Sequence, residues 1–374
     1  MSAPAPSTFT VTYGITASSP KEAEAMAAAL AVEQSVEMPP ETVPDHLKGQ
    51  IGAVESLESD GSRRWQVAIR YPRALAGDDP IQLVNVLFGN SSLQPGIRLL
   101  GCDPSVLSDL LPGPSFGIDG IRSLLNVPKR ALSCTALKPV GCTPAELAER
   151  AYACSTAGID VIKDDHNLAN QPSAPFEHRL LSVLRAVRKG EQRSGKRTLY
   201  FPNITGRPEE IRRRFELAQK HGADGVLICP DLAGWGALID LAASANPLPV
   251  MAHPALSGSR VLGHESGMSP SFLYGTLWRA FGADAVVYPN AGGRFQLSKE
   301  QCLAINEACR TDSLPLAAAL PVPGGGIDRT TVASWVEIYG PDTLFLIGGS
   351  LYNHPLGLET AVREFQSILN QPGS

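Results

Sequence analysis

No segment of the sequence reaches the roughly 18 uninterrupted apolar residues of a membrane-spanning helix. There is no CxxC pair. The seven cysteines (Cys102, Cys134, Cys142, Cys154, Cys229, Cys302 and Cys309) are too sparse in 374 residues for a disulfide framework, and read as reduced, mostly buried thiols. The start, MSAPAPSTFT, has no basic segment followed by an apolar one, so no secretory signal is expected and a cytoplasmic location is. Basic residues are not in excess: 32 Lys and Arg face 37 Asp and Glu, for a net charge of -5. That excludes a general nucleic-acid coat but leaves room for a local phosphate pocket. No repeat of fixed period, low-complexity tract or long linker occurs. What remains is 43% hydrophobic and 18% charged, the balance of a folded chain with a sizeable core. Its 35 Gly and 31 Pro point to many tight junctions between elements.

Two patterns follow each other along the chain. FTVTYGIT (9–16) alternates with period two, like a strand. Ser19-Pro20 then opens an Ala-rich helix to about residue 32. Strand-like runs at 51–58 and 63–72 follow, and Asp78, Asp79 and Pro80 start a second helix. The order β-α-β-β-α-β predicts a ferredoxin-like α+β domain over 1–125. From 126 to 374, eight short apolar runs (132–139, 158–165, 199–205, 225–230, 249–254, 285–290, 315–326 and 343–350) alternate with helical stretches. That arithmetic predicts a (β/α)8 TIM barrel, an α/β fold whose chemistry sits where strands end.

The strand ends hold the candidate residues. Lys163-Asp164-Asp165-His166 closes the apolar run GIDVI. Alternation puts Lys163 and Asp165 on one face and Asp164 on the other. Asp165 and His166 can ligate a divalent cation, with Mg2+ favoured by hard oxygen donors; a salt-bridged strand end is the competing reading. Lys138 ends the first run and is a candidate base if partly desolvated, or a lysine snorkelling to solvent. Gly325 and Gly326, with Gly348 and Gly349, offer backbone N–H groups to a phosphate, unless they are simple turns. His253 closes the fifth run. Asn203, Asn290 and Arg294 share the rim. His46, His178, His221, His264 and His354 read as structural. Arg212, Arg213 and Arg214 read as a solvated helix face, and RKGEQRSGKR (188–197) as a solvated helix end.

At GIDVIKDDHNLANQP the chain resembles the large subunit of ribulose bisphosphate carboxylase (RuBisCO), whose second barrel strand carries a lysine, two aspartates and a glutamate in this arrangement. Further motifs match in order: EQS (33–35), FGN (88–90), ALKP (136–139), MAHP (251–254), NAGGRF (290–295), PGGGI (323–327) and LIGGSLYNHP (346–355). The resemblance implies Mg2+ on a Lys163 carbamate formed from CO2, together with Asp165 and His166, the last standing where the family has glutamate. It implies that Glu33 and Asn90 complete the site, Glu33 from a partner chain, and therefore a homodimer with its site at the subunit interface.

The departures imply that CO2 fixation is absent. Val140 stands for a second lysine, Pro254 for an arginine that grips one substrate phosphate, Arg294 for the lysine of the mobile loop, and Gly324 for a serine. The pattern is that of the form IV, RuBisCO-like proteins acting on a phosphorylated ketose with one phosphate. Asn90 lacks the lysine base of the 2,3-diketo-5-methylthiopentyl-1-phosphate enolases. The leading expectation is isomerisation of 5-methylthioribulose-1-phosphate to 1-methylthioxylulose-5-phosphate in methionine salvage, with Lys138 or the Lys163 carbamate as base and His253 returning a proton. The alternative is decarboxylation or a related step on 3-oxo-isoapionate-4-phosphate, with Arg294 on the substrate carboxylate. A non-catalytic sugar-phosphate sensor is the remaining reading.

Overall fold

The computed structural model describes residues 7–295 and 297–370. These fall into two compact units. One runs through Leu111 and takes in Ser257–Leu273 and Asp312–Pro315; the other comprises Pro112–Leu256, Tyr274–Thr311 and the chain from Leu316 onward.

The first unit is built on β1 (Thr8–Thr16), β2 (Ala53–Ser59), β3 (Arg64–Pro72) and β4 (Ile97–Cys102), paired antiparallel in the order β4-β1-β3-β2. Strand β1 alternates strictly and buries Phe9, Val11, Tyr13 and Ile15. The helix Pro20–Glu33 starts on the Ser19 cap and buries Ala23, Ala27, Leu30 and Ala31. The helix Pro80–Phe88 starts on Asp79, whose carboxylate accepts from the N–H groups of Ile81 and Gln82. This is the expected ferredoxin-like order.

The second unit holds eight parallel strands: β5 (Leu132–Leu137), β6 (Val161–Asp164), β7 (Leu199–Phe201), β8 (Val226–Ile228), β9 (Val250–Ala252), β11 (Ala285–Pro289), β12 (Leu320–Gly324) and β13 (Leu344–Ile347). The two-residue β10 (Gly267–Met268), which follows β9 in the chain, instead adds a parallel edge strand to β4 of the first unit. The sheet runs β7-β6-β5-β13-β12-β11-β9-β8, and a bridge between Asn203 and Leu227 joins its two ends. The strands are shorter than the apolar runs that announced them, because their polar and glycine ends turn out of the ladder.

All eight strands feed one interior core: Leu132, Cys134, Val161, Leu199, Phe201, Leu227, Met251, Ala285, Val287, Leu320, Val322 and Leu344. Ile118, Ile121 and Leu125 join it. The helix Gly117–Leu125, which lies before the division expected at 125/126, therefore packs with the barrel. Its start is fixed by buried Asp284, which accepts from the N–H groups of Phe116 and Gly117 at 2.6 and 2.8 Å.

Outside the barrel, the helices Pro144–Thr156 and Phe176–Ser194 meet at Gly190. A Cβ there would stand 2.6 Å from Ser155 Cβ. Gly190→Ala is expected to lower the unfolding free energy by about 1–2 kcal/mol, overpacking outweighing the gain in helix propensity. Urea titration checks this, and a stabilised variant would contradict the close approach.

Arg214 departs from the solvated face expected of Arg212–Arg214. Its guanidinium is buried over the Phe176 ring at 5.8 Å and bonds Glu210 Oε2 at 3.2 Å and Thr205 O at 2.6 Å. The helix Pro208–His221 turns that position onto its neighbour, while Arg212 and Arg213 stay exposed. Arg188 lies on the inner side of its helix end and pairs with Asp224 at 2.7 Å.

Candidate active site

The barrel interior sets the site by simple continuation. Side chains two residues apart on a strand share a face. Extending the core positions of the strands other than β11 toward their carboxyl ends gives Leu132-Cys134-Ala136-Lys138, Val161-Lys163-Asp165, Phe201-Asn203, Leu227-Cys229, Met251-His253, Val322-Gly324 and Leu344-Leu346-Gly348. The apolar core therefore changes into a polar layer at the end where barrel enzymes hold their chemistry. Cys229 enters this layer although it had not been singled out; the same period-two count from Leu227 finds it.

Lys163 is walled in, with 1% of its surface exposed, and its Nζ donates to Asp164 O at 3.1 Å. Burial pushes its pKa below the ordinary lysine value, against the opposing pull of Cys134, Asp165 and Cys229. Asp165 is nearly as enclosed. Its Oδ2 takes the Lys138 ammonium, while Oδ1 accepts from Asn167 N at 3.0 Å and lies 3.2 Å from His166 Nδ1. Burial raises the Asp165 pKa, but Lys138 and Asn167 outweigh it and hold the carboxyl below its ordinary value. Lys138 keeps 39% of its side chain exposed and so stands at the mouth.

The His166 and His253 rings stack, with centroids 4.4 Å apart and planes 11° from parallel. Burial lowers both pKa values, that of His253 strongly; Lys163 and Lys138 push both further down, His166 adds to the push on His253, and Asp165 opposes it at His166. His253 Nδ1 accepts from Ala255 N at 3.2 Å, which leaves the ring proton on Nε2. Asn203 Nδ2 holds His166 O at 2.9 Å.

Asp164 points the other way, as alternation predicts. It is fully buried and accepts from Arg179 Nε at 3.0 Å, Tyr200 Oη at 2.8 Å and Asn203 N at 2.9 Å. Arg179 also donates to Ala174 O and Ala169 O, pinning the segment after β6. The salt-bridged strand end is thus present, on the face opposite the candidate metal ligands.

The glycine loops after β12 and β13 are open to a ligand. Nothing lies within 4 Å of where a Cβ would stand on Gly325, Gly348 or Gly349. Gly326 serves a second purpose: a Cβ there would meet Gly293 N at 2.8 Å, so the loops after β11 and β12 touch backbone to backbone. Arg294, on the loop after β11, is exposed with its guanidinium 4.9 Å from the Phe295 ring centroid. Asn290 is buried and tied to Tyr339 Oη at 2.7 Å. In the first unit, Asn90 Nδ2 donates to Glu33 Oε1 at 3.1 Å.

Among the described residues no three His, Cys, Asp or Glu side chains gather as metal ligands. Asp165 and His166 supply two donors. Lys163 could offer a third: burial lowers its pKa, and its unprotonated amine could react with CO2 to give an anionic carbamate. A carbamate, a carboxylate and an imidazole form a donor set suited to a divalent cation, with Mg2+ favoured by the oxygens.

Known proteins share this fold and much of this sequence. The family model described as ribulose bisphosphate carboxylase large chain, catalytic domain, matches residues 117–367. The 5-methylthioribulose-1-phosphate isomerase of Rhodospirillum rubrum is 39% identical over 332 residues, covering 88% of this chain and 87% of that one. The 2,3-diketo-5-methylthiopentyl-1-phosphate enolase of Bacillus velezensis is 33% identical, covering 95% and 89%. The crystal structure of a RuBisCO-like protein from Rhodopseudomonas palustris superposes with a TM-score of 0.89 at 37% identity, covering 99% of both chains. No helix among the described residues is long and apolar enough to cross a membrane.

Proposed function

As this chain belongs to the ribulose bisphosphate carboxylase large-chain family, as a non-carboxylating RuBisCO-like enzyme, we propose that it isomerises 5-methylthioribulose-1-phosphate to 1-methylthioxylulose-5-phosphate. The observation that carries this reading is the clustering of Lys138, Lys163, Asp165, His166 and His253 at one barrel mouth that also has open glycine loops. The 39% identical isomerase supports it. Asn90 speaks against the enolase, because an amide bonded to Glu33 offers no amine base.

Substrate and product share one five-carbon skeleton with the ketone two carbons apart, so the reaction needs two successive rounds, each removing a proton next to the carbonyl and returning one to the former carbonyl carbon. The backbone N–H groups of Gly325, Gly326, Gly348 and Gly349 hold the single phosphate. A magnesium ion on the Lys163 carbamate, Asp165 and His166 would polarise the carbonyl and stabilise the enediolate charge. Lys138 or the Lys163 carbamate is the base on this reading; Lys138 stands open at the mouth but has to give up the proton it directs to Asp165 before it can act. On this reading His253, with its ring proton on Nε2, returns a proton to carbon in each round and recovers one from the protonated base. Arg294 lies near enough to His166 to act on it electrostatically and would contact substrate oxygens. Glu33 and Asn90 are bonded to each other, so whichever chain of a homodimer supplies one supplies both.

The test is NMR in D2O with Mg2+, bicarbonate and 5-methylthioribulose-1-phosphate. Deuterium should enter carbon next to the carbonyl and a new 5-phosphate signal should appear. If neither does, the isomerase reading fails, and CO2 release from 3-oxo-isoapionate-4-phosphate is the next assay.

A further inference from the structure

Strand β9 delivers His253, and the chain then continues through Pro254 and Ala255 to Leu256 without a charged side chain. Leu256 is 64% exposed. It also has φ +72°, in the left-handed region. Four non-glycine residues among those described have a left-handed φ (Glu37, Asn126, Arg130 and Leu256), and Leu256 alone is apolar. Both features cost stability: an exposed leucine forgoes burial, and a side chain at positive φ crowds its own backbone. Glycine or asparagine would avoid both costs. Strain of this kind collects at sites that bind ligands.

The position explains what an apolar side chain can do there. β9 lies two strands from β12 and three from β13 in the eight-stranded sheet, so its loop stands a quarter to three-eighths of the way round the mouth from the glycine loops. A five-carbon ligand held by a phosphate at those loops and lying over His253 would bring its other end to the loop after β9. The neighbouring strand β11 ends in a loop that presents Phe295, 50% exposed. The geometry points to Leu256 as a specificity-determining residue that packs on the apolar, sulfur-bearing end of the substrate. This assignment rests on the phosphate placement proposed above and deepens it: the enzyme selects a thioether over a hydroxyl at the end remote from the phosphate.

The test is binding, which is independent of turnover. Affinities of 5-(methylthio)pentyl phosphate and 5-hydroxypentyl phosphate are measured by calorimetry for the unmodified protein, Leu256→Gly and Leu256→Ala, together with melting temperatures and light scattering. The unmodified protein should prefer the thioether, and both variants should lose about tenfold or more of that preference. Leu256→Gly should do so without lowering the melting temperature, since glycine accepts a positive φ. An unchanged preference overturns the assignment, as does a change of oligomeric state with preference intact, which would make Leu256 a contact between copies. If discrimination depends on Leu256 but the methylthio sugar is not turned over, the isomerase reading falls and the apolar subsite stands.

Discussion

Lys163→Met is expected to abolish turnover, by about a thousandfold or more, and at the same time to raise the melting temperature. The two effects share one cause. Lys163 is enclosed in the barrel, and burial holds its pKa below the ordinary lysine value. Methionine fills similar space without an amine to desolvate, but it cannot form a carbamate or complete a three-donor metal set with Asp165 and His166. The pH dependence follows from linkage. The unfolded chain binds the lysine proton more tightly than the folded one does, so the destabilisation by Lys163 is full below its folded pKa. It fades as pH rises from there toward the ordinary lysine value of about 10.4. The gap in melting temperature between the variant and the unmodified protein should therefore narrow across that window in bicarbonate-free buffer. Adding Mg2+ and bicarbonate should stabilise the unmodified protein and not the variant. Retained bicarbonate-dependent stabilisation in Lys163→Met would sink the carbamate assignment.

Asp164→Ala is expected to cost about 3–5 kcal/mol of stability, because it leaves the Arg179 guanidinium buried without its counterion. Tyr200 Oη and Asn203 N lose their acceptor in the same step. Asn203 in turn holds His166 O, so the metal-side loop should loosen and activity should fall with stability. Pairing the change with Arg179→Met removes the orphaned charge, and urea unfolding of the double variant should recover a large part of the loss. A single variant within about 1 kcal/mol of the unmodified protein would show that this pair is not the anchor described.

The sequence made the fold legible where local pattern and global architecture agree. Period-two alternation placed β1 and the barrel strands, and Ser19 and Asp79 marked helix starts that they do cap. Alternation alone separates Lys163 and Asp165 from Asp164. Boundaries were harder. GIDVIKDD reads as eight strand residues, yet only Val161–Asp164 pair, because hydropathy does not record where a strand leaves its ladder. The two-residue β10 was invisible, as its pairing with β4 is set by a strand distant in the chain. Arg214 was misjudged because three consecutive arginines look alike in sequence, while the helix turns just one of them inward over Phe176.

By itself, the sequence determined the barrel, the ferredoxin-like unit and the residue types at the strand ends, since side-chain period and turn residues are local properties. Tertiary structure alone decided the rest. It closed the strands on one interior, so that Cys229 joined Lys163, and it stacked His166 on His253. It gave the Lys138 ammonium to Asp165 and tied Glu33 to Asn90. It also put an exposed leucine into a left-handed turn beside His253. Each of these depends on distances between residues far apart in the chain, and burial and neighbouring charge, which set their chemistry, exist only once the chain has folded.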